Sequence, residues 1–527
     1  MRKIIYIISV LLFFPIIILA SKQQKSSPRL AVIISVDGLR SNHLHAFWNE
    51  FGEGGFHKLL SHYYTNTTSC NYESTGSTTD YASLMTGSAP YFHGITANKV
   101  YSFFDHDIVS ITEDARFEGI ESDLSVSARQ LKATTLGDVL KLENNESQVY
   151  SIALNANHAL MLGGHLADGA IWLDNYTGNF ATTNYYNKGL PSFAASINAE
   201  DFIKRYREHA WYPDKPLQKY HHKPDGKHGT TSMPILYSED EKLKFSERMK
   251  IFKQTPNVNS VIRLAACKAI EENRLGTDSH TDLLCIELNG QINDQAPKAT
   301  AELEDLYIRL DKELERIINQ INTTCGINNT VIVLTSTPSI EGGIHYEKNE
   351  KINSGKFKSS SSMALLNSYL MAIYGQNDWV KGYYAGNIFL NRHDIQKNNI
   401  KMDEICDYAA QFMLDFQGVQ SSYTISRLQY CTGNGHDPIV RMRNSYHKSH
   451  SGDIFIKLQP GWQDVDKNGV TQRINTPSNS QIPIAIFGYE IKDSNQSMNY
   501  EDIIPTLCTL LTIPLPNASM GKSIPLY

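Results

Sequence analysis

The chain has no basic cluster and carries a formal net charge of −6. It therefore lacks the cationic surface that holds a protein on nucleic acid, and nucleic acid is excluded as a partner. Beyond one N-terminal apolar run, no stretch is long and apolar enough to span a bilayer, so no transmembrane segment is expected once that run is removed. No cysteine follows the run closely, which leaves no attachment point for a lipid anchor. There are seven cysteines, an odd number, so in an exported chain at least one thiol is unpaired. Cys267 and Cys285 fall in apolar helix-like and strand-like surroundings and are expected to be buried small hydrophobes rather than disulfide partners. No internal repeat is evident, and only Ser359 to Ser362 is low in complexity.

What is present begins with Arg2 and Lys3, followed by an apolar run from Ile4 to Ala20 and the polar stretch SKQQKSSP. This reads as a secretory signal peptide, residues 1–20, cleaved near Ala20, with a retained membrane anchor as the alternative. The expected location is periplasmic or secreted. Residues 28–527 exceed an average domain but suit one large α/β enzyme-like domain with insertions. Strand-like runs at Leu30 to Arg40, Val149 to Leu154, Leu283 to Leu288 and Val331 to Thr335 alternate with helical patterns. Between the last two, Leu303, Leu306, Leu310, Leu314, Ile317 and Ile318 recur at the helical period and predict a crossover helix from Leu303 to Ile321. Two stretches, at about 172–258 and 348–476, break the alternation and are expected to form caps over the carboxyl edge of the sheet.

The first strand, LAVIISVDGLR, ends in Asp37-Gly38, which is how a buried parallel strand delivers a carboxylate to a sheet edge. Downstream, Ser77 follows Gly76 and precedes a run with helical spacing, Tyr81, Leu84 and Met85. A hydroxyl just ahead of a helix sits where free N–H groups and the helix dipole favour an anion. Asn98 would add an amide to the same anion. By its bland reading, Asp37 caps a turn and Ser77 caps its helix.

The segment TGSTTDYASLMTGSAPYFHGITAN resembles the nucleophile segment of the alkaline phosphatase superfamily, in its secreted phosphate-irrepressible bacterial branch (type I phosphodiesterase/nucleotide pyrophosphatase-like). The resemblance extends along nearly the whole chain, through WLDNYTGNFATTNYY, LNSYLMAIYGQNDWVKGYYAGNIFLNR, SGDIFIKLQPGW and DIIPTLCTLL. It implies an α/β fold, an alkaline-phosphatase-like three-layer sandwich around a mostly parallel sheet with inserted cap regions. It also implies phosphoryl transfer with two zinc ions, with Ser77 at the nucleophile position and Asn98 at a phosphate-binding position.

Against that pattern the metal donors are depleted. Asp37 is the only retained ligand position. Thr337 and Pro338 stand where the family has Asp-His after the fourth strand, and Gln481 stands where it has the last His. Asn155 and Asn157 replace a Lys-x-Arg pair that reaches the substrate phosphate, and remain candidate substrate-binding amides. After the third strand only Asp294 is available, in a shifted register. A zinc ion needs about four donors, mostly anionic or imidazole, so no cofactor is expected. His93 and His165 match family positions outside the metal set, and packing or turn hydrogen bonds are their expected job.

Three readings follow. The first is a catalytically degenerate exported protein that uses the old cleft or cap to bind a small polar ligand or an envelope protein. The second is an active phosphate mono- or diester hydrolase with a rearranged two-zinc site drawing on Asp80, Asp294, His158 or His450. The third is a structural subunit of an envelope assembly.

Overall fold

The computed structural model describes residues 27–66, 68–102, 104–222, 243–292, 300–338, 355–433, 437–466, 471–474 and 482–526. Residues 1–20, expected as a signal peptide, lie outside the described residues, as do Asp294 and Gln481.

Nine strands form the central sheet: β1 (Leu30–Asp37), β2 (Tyr63–Thr65), β3 (Gly119–Ile120), β4 (Val149–Ala153), β5 (Gly169–Leu173), β6 (Phe180–Thr183), β7 (Asp282–Asn289), β8 (Thr330–Thr335) and β9 (Ile484–Gly488). Their spatial order is β2-β9-β8-β1-β7-β4-β5-β6-β3. The middle five strands, from β8 to β5, run parallel, and the flanks are antiparallel. Every residue of β1 is buried, as a strand covered on both faces requires.

Alternation along β1 sorts its side chains between two layers. Val32, Ile34 and Val36 pack with α3 (Pro256–Glu272) and α4 (Ala301–Thr324), whereas Ala31 and Ile33 pack with α1 (Ser77–Thr86), α2 (Ala156–Gly163) and α6 (Ile503–Leu511). The result is the expected three-layer α/β sandwich. The crossover helix α4 exceeds its apolar signal by a few residues at each end, because Thr300 accepts a hydrogen bond from the Leu303 N–H and starts the helix earlier.

Two differences from the expectation concern the caps. Phe180–Thr183 falls inside the stretch expected as the first insertion, yet it is a strand of the central sheet. Its Thr-rich run is too short for periodicity to mark. The run Ser451 to Trp462 supplies strands to two separate small sheets. Ile454–Leu458 joins an antiparallel sheet with Val380–Tyr384, Asn387–Leu390 and Val419–Thr424, and Trp462–Val465 pairs with Gly355–Lys358. The four-stranded sheet, together with Ser359–Tyr374 and α5 (Met402–Met413), has an apolar core of its own. All seven cysteines are described and all are free; Cys285 is buried and Cys267 half-buried.

Leu314 is fully buried on the inner face of α4. Leu314→Ala is expected to lower unfolding stability by about 2–5 kcal/mol, read by urea denaturation. A loss under about 1 kcal/mol would mean that the helix packs more loosely than described.

Candidate functional site

Three neighbouring strand ends and one helix start build the site. The register pairs Ser35 with both Thr335 and Glu287, and Asp37 with Asn289. The two flanking strands therefore deliver the residues just past their ends to the Asp37 carboxylate. Thr337 Oγ1 donates to Asp37 Oδ1 at 2.5 Å, and Gln291 Nε2 donates to Oδ2 at 2.8 Å. From the helical layer, Ser77 Oγ donates to Oδ1 at 3.3 Å. All four side chains are buried. Gly38 makes the approach of Gln291 feasible: its φ is +79°, and a Cβ there would lie 2.8 Å from the Gln291 Cβ.

One cation lies close by. The Arg40 guanidinium donates to the carbonyls of Leu39 (2.8 Å) and Thr337 (3.2 Å) and to Ser336 Oγ (3.1 Å). Burial lowers its pKa, while Tyr307, Asp37 and Asp80 favour its charge. Among the described residues, Thr337, Gln291 and Ser77 thus give this buried carboxylate uncharged hydrogen bonds within the field of a buried guanidinium.

At the start of α1, Asn98 Oδ1 accepts from the Thr78 N–H at 3.3 Å. Gly76 permits this contact, since a Cβ there would fall 2.6 Å from Asn98 Oδ1. The loop leading to Ser77 is gripped by the second insertion. Arg441 Nη2 donates to the Tyr72 carbonyl (3.2 Å), Asn444 Nδ2 to the Asn71 carbonyl (2.8 Å), and the Glu73 N–H to Ser445 Oγ (2.8 Å). The Glu73 carboxylate also accepts from Lys457 Nζ at 2.9 Å.

The two amides expected at the family's cation positions, Asn155 and Asn157, part company. Asn157 Oδ1 accepts from Thr112 Oγ1 (2.5 Å) and Ser110 Oγ (3.2 Å). Asn155 precedes α2, and its Oδ1 faces Lys253 Nζ at 3.4 Å. Lys253 also donates to the Leu173 carbonyl at 2.7 Å. Burial pushes its pKa down to about 7, against the opposing pull of Glu287 and Asp174. No periodicity or motif marks Lys253 in the sequence.

The donors that a rearranged metal site would recruit are otherwise engaged. Asp80 accepts from Tyr72 Oη and Ser74 Oγ, each at 2.9 Å. His158 Nδ1 lies 2.8 Å from Glu287, which also accepts the Leu154 N–H. His450 Nδ1 bonds the Gly94 carbonyl at 2.6 Å. His93 bonds Ser83 Oγ and the Ile95 N–H, and burial pushes its pKa to about 3. His165 bridges Asp138 and the Leu131 carbonyl; burial opposes its charge, but Asp138 raises the pKa overall.

Among the described residues, three or more potential ligands come close enough to share an ion only at Glu50, His221 and Glu304. There Lys215 Nζ already lies 2.5 Å from Glu50 and 2.9 Å from Glu304. Among the described residues, the side chains bonded to one another at the Asp37 site are one carboxylate, two hydroxyls and an amide, a poor match to the anionic and imidazole donors that zinc prefers. The side chain of Pro338, which is buried, carries no ligand atom.

The pattern of the family "Type I phosphodiesterase / nucleotide pyrophosphatase" matches residues 31–480. Among curated proteins, alkaline phosphatase PafA of Elizabethkingia meningoseptica is 27% identical over 515 residues, covering 94% of each chain. Alkaline phosphatase PhoV of Synechococcus elongatus is also 27% identical, covering 95% of this chain and 93% of its own. Among solved structures, wild-type PafA superposes with a TM-score of 0.82 at 25% identity, covering 94% of this chain and 98% of its own.

The Lys253 geometry sets a pH dependence. Its folded pKa lies below the unfolded value of 10.5, so between about 7 and 10.5 the unfolded chain binds the extra proton. Stability contributed by this site accordingly rises with pH across that window and is lowest below about pH 7. Lys253→Met is expected to gain stability relative to the parent chiefly at neutral and lower pH, with the gap narrowing towards pH 10 in urea unfolding. A gap independent of pH would show that the ammonium titrates normally.

Proposed function

We propose, from the premise that this chain belongs to the type I phosphodiesterase/nucleotide pyrophosphatase family within the alkaline phosphatase superfamily, that it is an exported member without two-zinc phosphoryl transfer. In this reading the old cleft or its cap binds a small polar ligand or an envelope protein. The carrying observation is the set of neutral donors on Asp37: Ser77, Gln291 and Thr337 meet its oxygens where cation ligands would be needed.

The chemistry follows from that set. A serine hydroxyl at neutral pH is almost wholly protonated unless a metal or a base activates it. Ser77 bonds Asp37, whose Oδ1 takes a shorter bond from Thr337. That oxygen is thus already shared between two hydroxyl donors. The phosphate site has lost Lys-x-Arg, and Asn157 is turned to Ser110 and Thr112. Enzymes of this kind draw on about 8 kcal/mol or more of barrier lowering, and the groups that would supply it are mostly missing here.

The Ser77 to Asp37 contact is the one observation favouring the alternative, an active phosphate mono- or diester hydrolase with a rearranged two-zinc site. Such a site would need the donors of Asp80, His158 or His450 to leave their present partners.

Metal content and turnover decide between the two. Protein purified in zinc-containing buffer is expected to hold well under one zinc per chain at the Asp37 site, and to hydrolyse p-nitrophenyl phosphate no faster than its Ser77→Ala variant. Two zinc ions per chain with turnover abolished by Ser77→Ala would overturn the reading.

A further inference from the structure

The four-stranded sheet of the second insertion carries a pocket of its own, about 690 Å³, between α5, the end of Val419–Thr424 and the short helix Ile425–Gln429. That volume lies within the usual range for small-ligand sites. Its lining is chemically mixed and unlike an apolar groove. At the bottom, Ser422 is 6% exposed and its Oγ has no hydrogen-bond partner among the described residues. A buried, unsatisfied hydroxyl costs stability unless something fills the space beside it.

Ser422 and Thr424 stand two apart on the strand and so share a face. Thr424 Oγ1 is spoken for by Ser426 Oγ and the Arg427 N–H, which leaves Ser422 as the open valence. The lining also includes the exposed side chains of Asp407, Arg427 and Gln411. Among the described residues neither Asp407 nor the Arg427 guanidinium has a hydrogen-bond or ion-pair partner. Tyr430, 84% exposed, forms the lip.

We propose that this pocket binds a neutral saccharide. The two charges cancel, so the site favours neither an anion nor a cation, yet together they donate and accept several hydrogen bonds, as vicinal hydroxyls require. The Tyr430 ring supplies a flat apolar surface with a polar tip, which matches the C–H face of a pyranose. A phosphate or nucleotide would meet a single guanidinium with a carboxylate on the same wall. This assignment deepens the binding half of the function proposed above, and it holds whether or not the Asp37 site turns over esters.

Saturation-transfer difference NMR on the full chain, with glucose, galactose, mannose, N-acetylglucosamine and their β-linked disaccharides, tests it. At least one saccharide is expected to bind, with affinity falling about tenfold or more in Tyr430→Ala and in Arg427→Ala and unchanged in Ser77→Ala. Both pocket variants alter surface side chains, and far-UV circular dichroism checks that they fold. No binding by any of these sugars, binding undiminished in both pocket variants, or binding of inorganic phosphate or AMP alone at Arg427 would each overturn the assignment. Zinc content and ester turnover, measured on the same samples, separate this outcome from the fate of the Asp37 site.

Discussion

The Asp37 carboxylate is the point on which the parallel core converges. It is buried at the carboxyl edge of the central strand, and an ionised carboxylate there must be matched by donors or cations. In a two-metal enzyme the match is made by ions. Here it is made by Thr337 and Gln291 from the strand ends on either side and by Ser77 from the helix above. Register brings Thr337 and Gln291 to Asp37, whereas Ser77 reaches it from the start of α1. The stability of this sheet comes from apolar faces on both of its sides.

Much of this was legible in the sequence, for identifiable reasons. Unbroken apolar runs such as LAVIISVD and LLCIEL are strong signals for buried parallel strands, and the heptad-like spacing of Leu303 to Ile318 is a strong signal for the crossover helix. The positions of Asp37, Ser77, Asn98 and Thr337 followed from the motif frame. Gln291 carries no signal in the sequence, because the family pattern has an anionic donor after the third strand and the only carboxylate in LNGQINDQAP is Asp294. A neutral amide reaching Asp37 becomes visible only when the β1 and β7 ends are set side by side. Lys253 escaped for a different reason. It lies just past a short helix in a polar, irregular stretch, and nothing local distinguishes a buried lysine from a solvated one until Asn155 and the Leu173 carbonyl are seen around it.

The second insertion is more than a lid over the sheet edge. It has its own apolar core and its own sheet, as a small domain does, and it presents polar, aromatic-rimmed surface away from the old site.

The grip of Arg441, Asn444, Ser445 and Lys457 on residues 71–73 has a practical corollary for protein engineering. Those backbone and carboxylate groups belong to the sandwich, yet the side chains that satisfy them come from elsewhere in the chain. Excising the insertion to obtain a minimal scaffold would strand a buried carbonyl row and the Glu73 charge at the very entrance to α1. The two parts are therefore a single inheritable unit, and recombination between relatives should exchange them together.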